Sequence, residues 1–92
     1  MLDIVKLALR ISTNAFDGEI SDLISAAILE MNHLGVTAAT EDTEDPQIVS
    51  AVIAYCKWLF GANEDADRWR DVYHIKLGQL KAMSGYTTWE EE

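Results

Sequence analysis

Cysteine, proline and basic residues are scarce in this chain, and the shortage of cysteine and of positive charge excludes whole classes of protein. Cys56 is the single cysteine among 92 residues, so no disulfide can form within the chain, which favours an intracellular site of synthesis. Seven lysines and arginines stand against 16 carboxylates, for a formal net charge of -9, and the basic residues form no cluster in the sequence. Because such a surface repels DNA phosphates and anionic lipids, non-specific binding to either is not expected.

Long hydrophobic runs are also missing. Asp3, Lys6 and Arg10 interrupt the stretch that would have to be the apolar part of a secretory signal, so the sequence predicts no signal peptide. No segment approaches the roughly 18 apolar residues of a membrane span. We therefore expect no membrane partner, and the length suits a single small domain.

Catalytic and metal-binding patterns are equally sparse. His33 and His74 lie far apart in the sequence, and neither has a metal-ligand spacing with Cys56, so we expect ordinary histidines and a buried, inert thiol. Residues 63–74 begin like a calcium loop, but Arg68 replaces the required glycine and His74 the required glutamate. No glycine-rich phosphate loop or nucleophile elbow occurs. The sequence therefore predicts no enzyme, no metal and no cofactor.

Hydrophobic periodicity predicts four helices and no strand. Apolar residues recur at helical spacing over residues 2–10, 15–34, 46–60 and 64–84. An acidic loop without periodicity, residues 36–44, separates the second helix from the third. We therefore predict an all-α fold, with a single small four-helix domain over residues 1–85 and a short, flexible, acidic C-terminal tail over residues 86–92.

Residues typical of helix ends mark these boundaries. Asp45 is the expected N-cap of the third helix, with Pro46 at its first position. Residues 12–14 are expected to cap the second helix, and Gly35 to stop it. The remaining expected end signals are Gly61 after the third helix, Asn63 before the fourth and Gly85 after it.

The third predicted helix carries more apolar surface than one core requires. On a helical wheel with about 100° per residue, its bulky residues fill one broad arc, and we expect two of them, Val52 and Ile53, to be buried within the chain. A second apolar face lies beyond a narrow polar strip and consists of Ala51, Ala54, Tyr55 and Trp58. Two such faces fit either a central helix that is wrapped on both sides, or a helix that is partly buried by another copy of the chain.

Two other helices carry hydrophobic residues outside their core stripes, Leu29 in the second and Ile75 in the fourth. Together with the third helix they favour self-association, although the first helix or the tail could instead fold over Trp58 within one chain. Gly78, inside the fourth helix, either permits the close approach of another backbone or is simply tolerated. The predicted subunit or partner interface consists of Ala51, Ala54, Tyr55, Trp58, Leu29 and Ile75.

Six segments occur in a distinctive order along the chain. "LDIVKLALRIST" is followed by "FDGEISDLISAA", then by an acidic loop, "DPQIVSAVIAY", "FG" and a last helix that ends in "LGQLKAMSGY". This series, over residues 2–86, resembles the small head–tail connector proteins of tailed bacteriophages. The resemblance implies a structural virion protein without active site or cofactor, made in the host bacterial cytoplasm and located at the head–tail junction.

The resemblance also implies the partners. Copies of the chain would form a homo-oligomeric ring of about twelve subunits beneath the portal protein. The ring would extend the portal channel, let DNA pass without specific binding, and dock the tail-side completion protein.

Two other classes of small helical protein are open at this point. A helix-turn-helix regulator would need Arg, Lys, Asn or Gln on the exposed face of a recognition helix, and no predicted helix has such a face. A small acidic helical adaptor or antitoxin-like binding protein, without DNA contact, fits the acidity equally well.

Overall fold

The third helix begins where its sequence predicts. In the computed structural model, which describes residues 1–60 and 64–83, Asp45 is the N-cap and Pro46 takes the first helical position. The Asp45 carboxylate accepts a hydrogen bond of 2.9 Å from the backbone N–H of Gln47, which satisfies one of the free donors of the first turn. The described residues form four helices and no strand, which confirms the all-α prediction.

The four helices are α1 (Leu2–Leu9), α2 (Asp17–His33), α3 (Pro46–Leu59) and α4 (Ala66–Ala82). The predicted capping of α2 by residues 12–14 is wrong, since Phe16 occupies the N-cap position and makes no side-chain cap bond. Instead, the Thr13 hydroxyl accepts a bond of 3.2 Å from the N–H of Ala15 and holds a turn before the helix. The expected signals at residues 61, 63 and 85, and the tail over residues 86–92, lie outside the described residues.

The turn after α2 connects the helix to the acidic loop. Gly35 has a φ of 103°, and the N–H of Val36 donates to the carbonyl of Met31 at 2.8 Å, so the predicted stop at Gly35 is confirmed as a Schellman motif. The Asn32 amide then donates to the carbonyls of Val36 and Ala39, at 3.1 and 3.0 Å. Val36 and Ala39 are buried, and the loop therefore contributes to the core although it has no periodicity.

The end of α1 uses the same motif without a glycine. Arg10 lies in the left-handed region with a φ of 63°, and the N–H of Ile11 donates to the carbonyl of Lys6 at 2.9 Å. The Lys6 ammonium donates a hydrogen bond of 2.9 Å to the Asn14 amide oxygen and lies 2.7 Å from a carboxylate oxygen of Asp17, in an ion pair. This side chain therefore connects α1 to the start of α2.

The core surrounds α3, which packs against α4, α2 and α1. Val52 is fully buried as predicted, while Ile53 is half-buried and packs at the edge of the core. Phe16, Leu34 and Met83, which the helical periodicity places on core stripes, are 42%, 40% and 39% exposed. Each of them is a cap residue at the end of its helix, and Phe16 packs edge-to-face on the ring of Phe60, with the ring centroids 5.6 Å apart.

Candidate interaction surfaces

The second apolar face of α3 is covered by α4 of the same chain. Ala51 and Ala54 are 0% and 1% exposed, so they cannot contact another subunit in this conformation, and their assignment to an interface is wrong. The reason is that α3 is the central helix, wrapped on both sides, which was one of the two possibilities. Tyr55 and Trp58 pack against the core but keep part of their surface in solvent, and their place in an interface stays a prediction.

Aromatic contacts explain how α4 covers this face. The ring of Tyr55 lies 5.8 Å from that of Trp58 and 5.2 Å from that of Tyr73, both in edge-to-face geometry. The Trp58 ring also lies 5.8 Å from the imidazole of His74. Edge-to-face aromatic pairs contribute about 0.5–1.5 kcal/mol beyond the area that they bury. Thus α4 packs against Trp58 within one chain, while the tail, which was one of the expected alternatives, lies outside the described residues.

A hydrogen bond ties α4 to α2 next to this cluster. The hydroxyl of the buried Tyr73 donates to a carboxylate oxygen of Glu30 at 2.5 Å. Burial raises the pKa of the Tyr73 phenol above its ordinary value, and the hydrogen bond and negative charge of Glu30 raise it further. The phenol therefore remains a protonated donor over the whole neutral range.

The first exposed apolar surface is a shallow groove on α2. It has a volume of about 400 Å³ and is lined by Ala26, Leu29, Glu30, His33 and Leu34. Leu29, predicted to lie off the core stripe, is 59% exposed. The helix carries four carboxylates and no lysine or arginine, so this apolar groove lies on an acidic helix. We call this surface the α2 groove.

The second exposed apolar surface is the outer face of α4. Ile75 is 62% exposed and lies about 200° around the helix from the buried Tyr73. One turn further on, a methyl group built at Gly78 would meet no side chain and no backbone of another element within 4 Å among residues 1–60 and 64–83. α4 holds four of the chain's seven basic residues against two carboxylates. We call this surface the α4 outer face.

A third exposed surface, on α1, was missed in the sequence reading. Leu7 is 80% exposed and Ile4, one turn before it, is 49% exposed. The signal for it is present, because only three of residues 2–11 are polar and one core face cannot bury the other seven. A short helix of this composition must expose part of its apolar surface.

The comparison with protein families covers almost the whole chain. Residues 1–87 match the family model described as phage connector protein. The chain belongs to the phage connector protein family. The resemblance seen in the sequence is thereby confirmed. Among curated proteins and among solved structures, none matches the chain.

Membership in the phage connector family implies a structural role at the head–tail junction of the virion, in association with portal and tail proteins.

The single thiol of this connector is buried, and desolvation raises the pKa of Cys56 to about 12, so no thiolate nucleophile is available at neutral pH. Within residues 1–60 and 64–83, no three His, Cys, Asp or Glu side chains form a group that could hold a metal ion. In the same part of the chain, no helix has the length and hydropathy to cross a membrane.

Proposed function

We propose that the chain is one subunit of a ring beneath the portal, which extends the portal channel and docks the tail-side completion protein. The family match over residues 1–87 carries this proposal. Ring closure needs a head-to-tail contact, in which every copy buries two different surfaces. Leu29 and Ile75 meet this need, because they are large, exposed hydrophobic residues on two different helices. About twelve copies are expected, as in the resemblance.

The charge of the chain supports passage of DNA through such a ring. The net charge is -9, and four carboxylates fall within residues 41–45. One of them, Glu41, accepts a hydrogen bond of 2.9 Å from the Ser25 hydroxyl, and Asp45 caps α3, so both are held in place at the start and end of the segment. A channel for DNA must not retain phosphates, and fixed negative charge repels them. We expect DNA to pass the ring without specific binding.

Mass measurement and imaging test the proposal. The purified chain, measured by light scattering after size exclusion and then by electron microscopy, is expected to give rings, and the rings are expected to co-purify with the portal protein. Reconstruction of the intact virion should place the density of the chain between the portal and the tail. A chain that is absent from purified virions, and bound instead to a cytoplasmic partner, would favour the small acidic adaptor and overturn the ring.

A genetic experiment tests the role at the junction independently. Phage in which the gene is interrupted should accumulate DNA-filled heads and free tails that do not join, because the docking surface for the tail is missing. The wild-type gene supplied from a plasmid should restore joined particles. Normal joining without the gene would contradict the proposed function.

A further inference from the structure

We propose that neighbouring copies join head to tail, with the α4 outer face of one copy, around Ile75, seated in the α2 groove, around Leu29, of the next copy. The pairing rests on the proposed ring and adds which two surfaces meet and in which direction. Both residues are large, apolar and exposed, at 62% and 59%. One surface is a groove of about 400 Å³, and the other is a helix face on which, within the described part of the chain, no atom of another element lies within 4 Å of a methyl group built at Gly78.

The two surfaces cannot meet within one chain. Tyr73 is the α4 residue whose hydroxyl reaches Glu30, which lines the α2 groove. Ile75 lies about 200° around α4 from Tyr73, and therefore points away from the groove of its own chain. Only a second copy can bring an α4 outer face to the groove. Since the two surfaces differ, the contact is heterologous: after one contact, one copy still has its groove unused and the other its α4 outer face, so each can bind a further neighbour.

Charge complementarity identifies a second copy as the occupant. A chain with a net charge of -9 repels its own copies on average. The charges are unevenly distributed, however, because α2 has four carboxylates without a basic residue while α4 has four basic residues and two carboxylates. Seating the α4 outer face against α2 of the next copy brings the basic Arg68 of one copy to the carboxylates of the other, which offsets part of that repulsion at the contact.

The spacing of charged and apolar residues sets the register. Arg68 precedes Ile75 by seven residues, and Asp22 precedes Leu29 by seven, so each pair spans about 10 Å on one face of its helix. Parallel packing of α4 on the neighbour's α2 therefore brings Arg68 to Asp22 when Ile75 lies on Leu29. Both charged residues are exposed. Asp71, which shares the α4 outer face, lies 3.5 Å from the Arg70 guanidinium, which offsets its charge.

Two charge variants, studied alone and mixed, test the direction of the contact. Leu29→Asp destroys the groove and Ile75→Asp destroys the opposing face, so each variant alone should be a monomer of 10.3 kDa. A one-to-one mixture should form a dimer and nothing larger, because only one junction between the two variants has both surfaces intact. Both residues are exposed, so circular dichroism should show a folded helical chain for each variant, and the melting temperatures of the two monomeric variants should agree.

The control is Leu7→Asp, which places the same charge at a more exposed leucine outside both surfaces. It should keep the wild-type mass. The pairing would be overturned if either single variant formed rings, if the mixture stayed monomeric, or if Leu7→Asp were the only variant that lost assembly. None of these results would contradict the proposal that the wild-type chain forms a ring. A wild-type chain that is monomeric at millimolar concentration would also overturn the pairing. Binding of that chain to the portal protein would then be the separate test of the proposed function.

A charge exchange tests the register. Asp22→Arg and Arg68→Asp should each raise the dissociation constant of a junction about two- to fivefold, as expected for an exposed ion pair, and the chain that carries both should recover. The matched control is the double variant Asp22→Arg with Lys81→Asp, which reverses a charge on a different turn of α4. Its dissociation constant should not recover. Equal recovery in both, or in neither, would refute the parallel register.

Discussion

The hydrogen bond between Tyr73 and Glu30 makes a quantitative prediction about stability. Tyr73→Phe removes only the hydroxyl that joins α4 to α2. Hydrogen bonds to charged groups contribute about 1.5–3 kcal/mol, and the lower end applies here because the exposed Glu30 carboxylate regains water in the variant. We expect a loss of about 1.5 kcal/mol, which lowers the melting temperature of a domain of this size by about 6–12 °C.

Urea and thermal unfolding, followed by circular dichroism on an assembly-deficient background such as Ile75→Asp, measure this loss for the chain alone. Tyr55→Phe removes a hydroxyl from the same aromatic cluster and is the control, with an expected change within about 0.5 kcal/mol. Glu30→Gln and the variant that combines it with Tyr73→Phe complete a double-mutant cycle. The coupling energy between Tyr73 and Glu30 should exceed about 0.5 kcal/mol.

The pH dependence gives an independent check. The pKa of Tyr73 is raised in the folded chain, so its contribution is complete below the ordinary value of 10 and is lost as the pH rises toward the folded value. The wild-type chain should therefore lose stability above pH 10 more steeply than Tyr73→Phe. A loss below about 0.3 kcal/mol at neutral pH, or an additive cycle, would refute a direct bond between the two side chains.

Four further predictions concern separate parts of the chain. Arg10→Gly should stabilise the chain by about 0.5–1 kcal/mol, because glycine relieves the left-handed strain at the end of α1, and a lower melting temperature would contradict that conformation. Cys56 should react with a thiol reagent at pH 8 only as fast as the chain unfolds, whereas immediate labelling would show an accessible thiolate. Gly78→Ala should stabilise the monomer by about 1 kcal/mol, since the added methyl group meets no atom of another described element, and destabilisation would mean a hidden close contact. A gel shift at physiological salt should show no duplex binding, and micromolar affinity would refute the electrostatic argument.

Local chemistry allowed much of the fold to be predicted from the sequence. Asp45 with Pro46 and the glycine at position 35 define helix ends through bonds between residues a few positions apart, and such bonds do not depend on the rest of the chain. The apolar stripes identify helices because side chains that recur at the helical period lie on one face. The helical periodicity also places Leu29 and Ile75 outside their core stripes, and both side chains are exposed in the structure.

Tertiary structure decided which of the remaining apolar surfaces are available to a partner. The helical wheel of α3 shows two apolar faces. Because the hydrophobic effect is non-directional, the wheel cannot distinguish burial of Ala51 and Ala54 by α4 from burial by another subunit. The bond from Tyr73 to Glu30 joins residues 43 positions apart, and no local pattern encodes it. Leu7 is exposed for a related reason, because α1 carries more apolar surface than its contacts with α2 and α3 bury. Sequence determines which residues need to leave water, and the relative placement of the helices determines which of them do so within one chain.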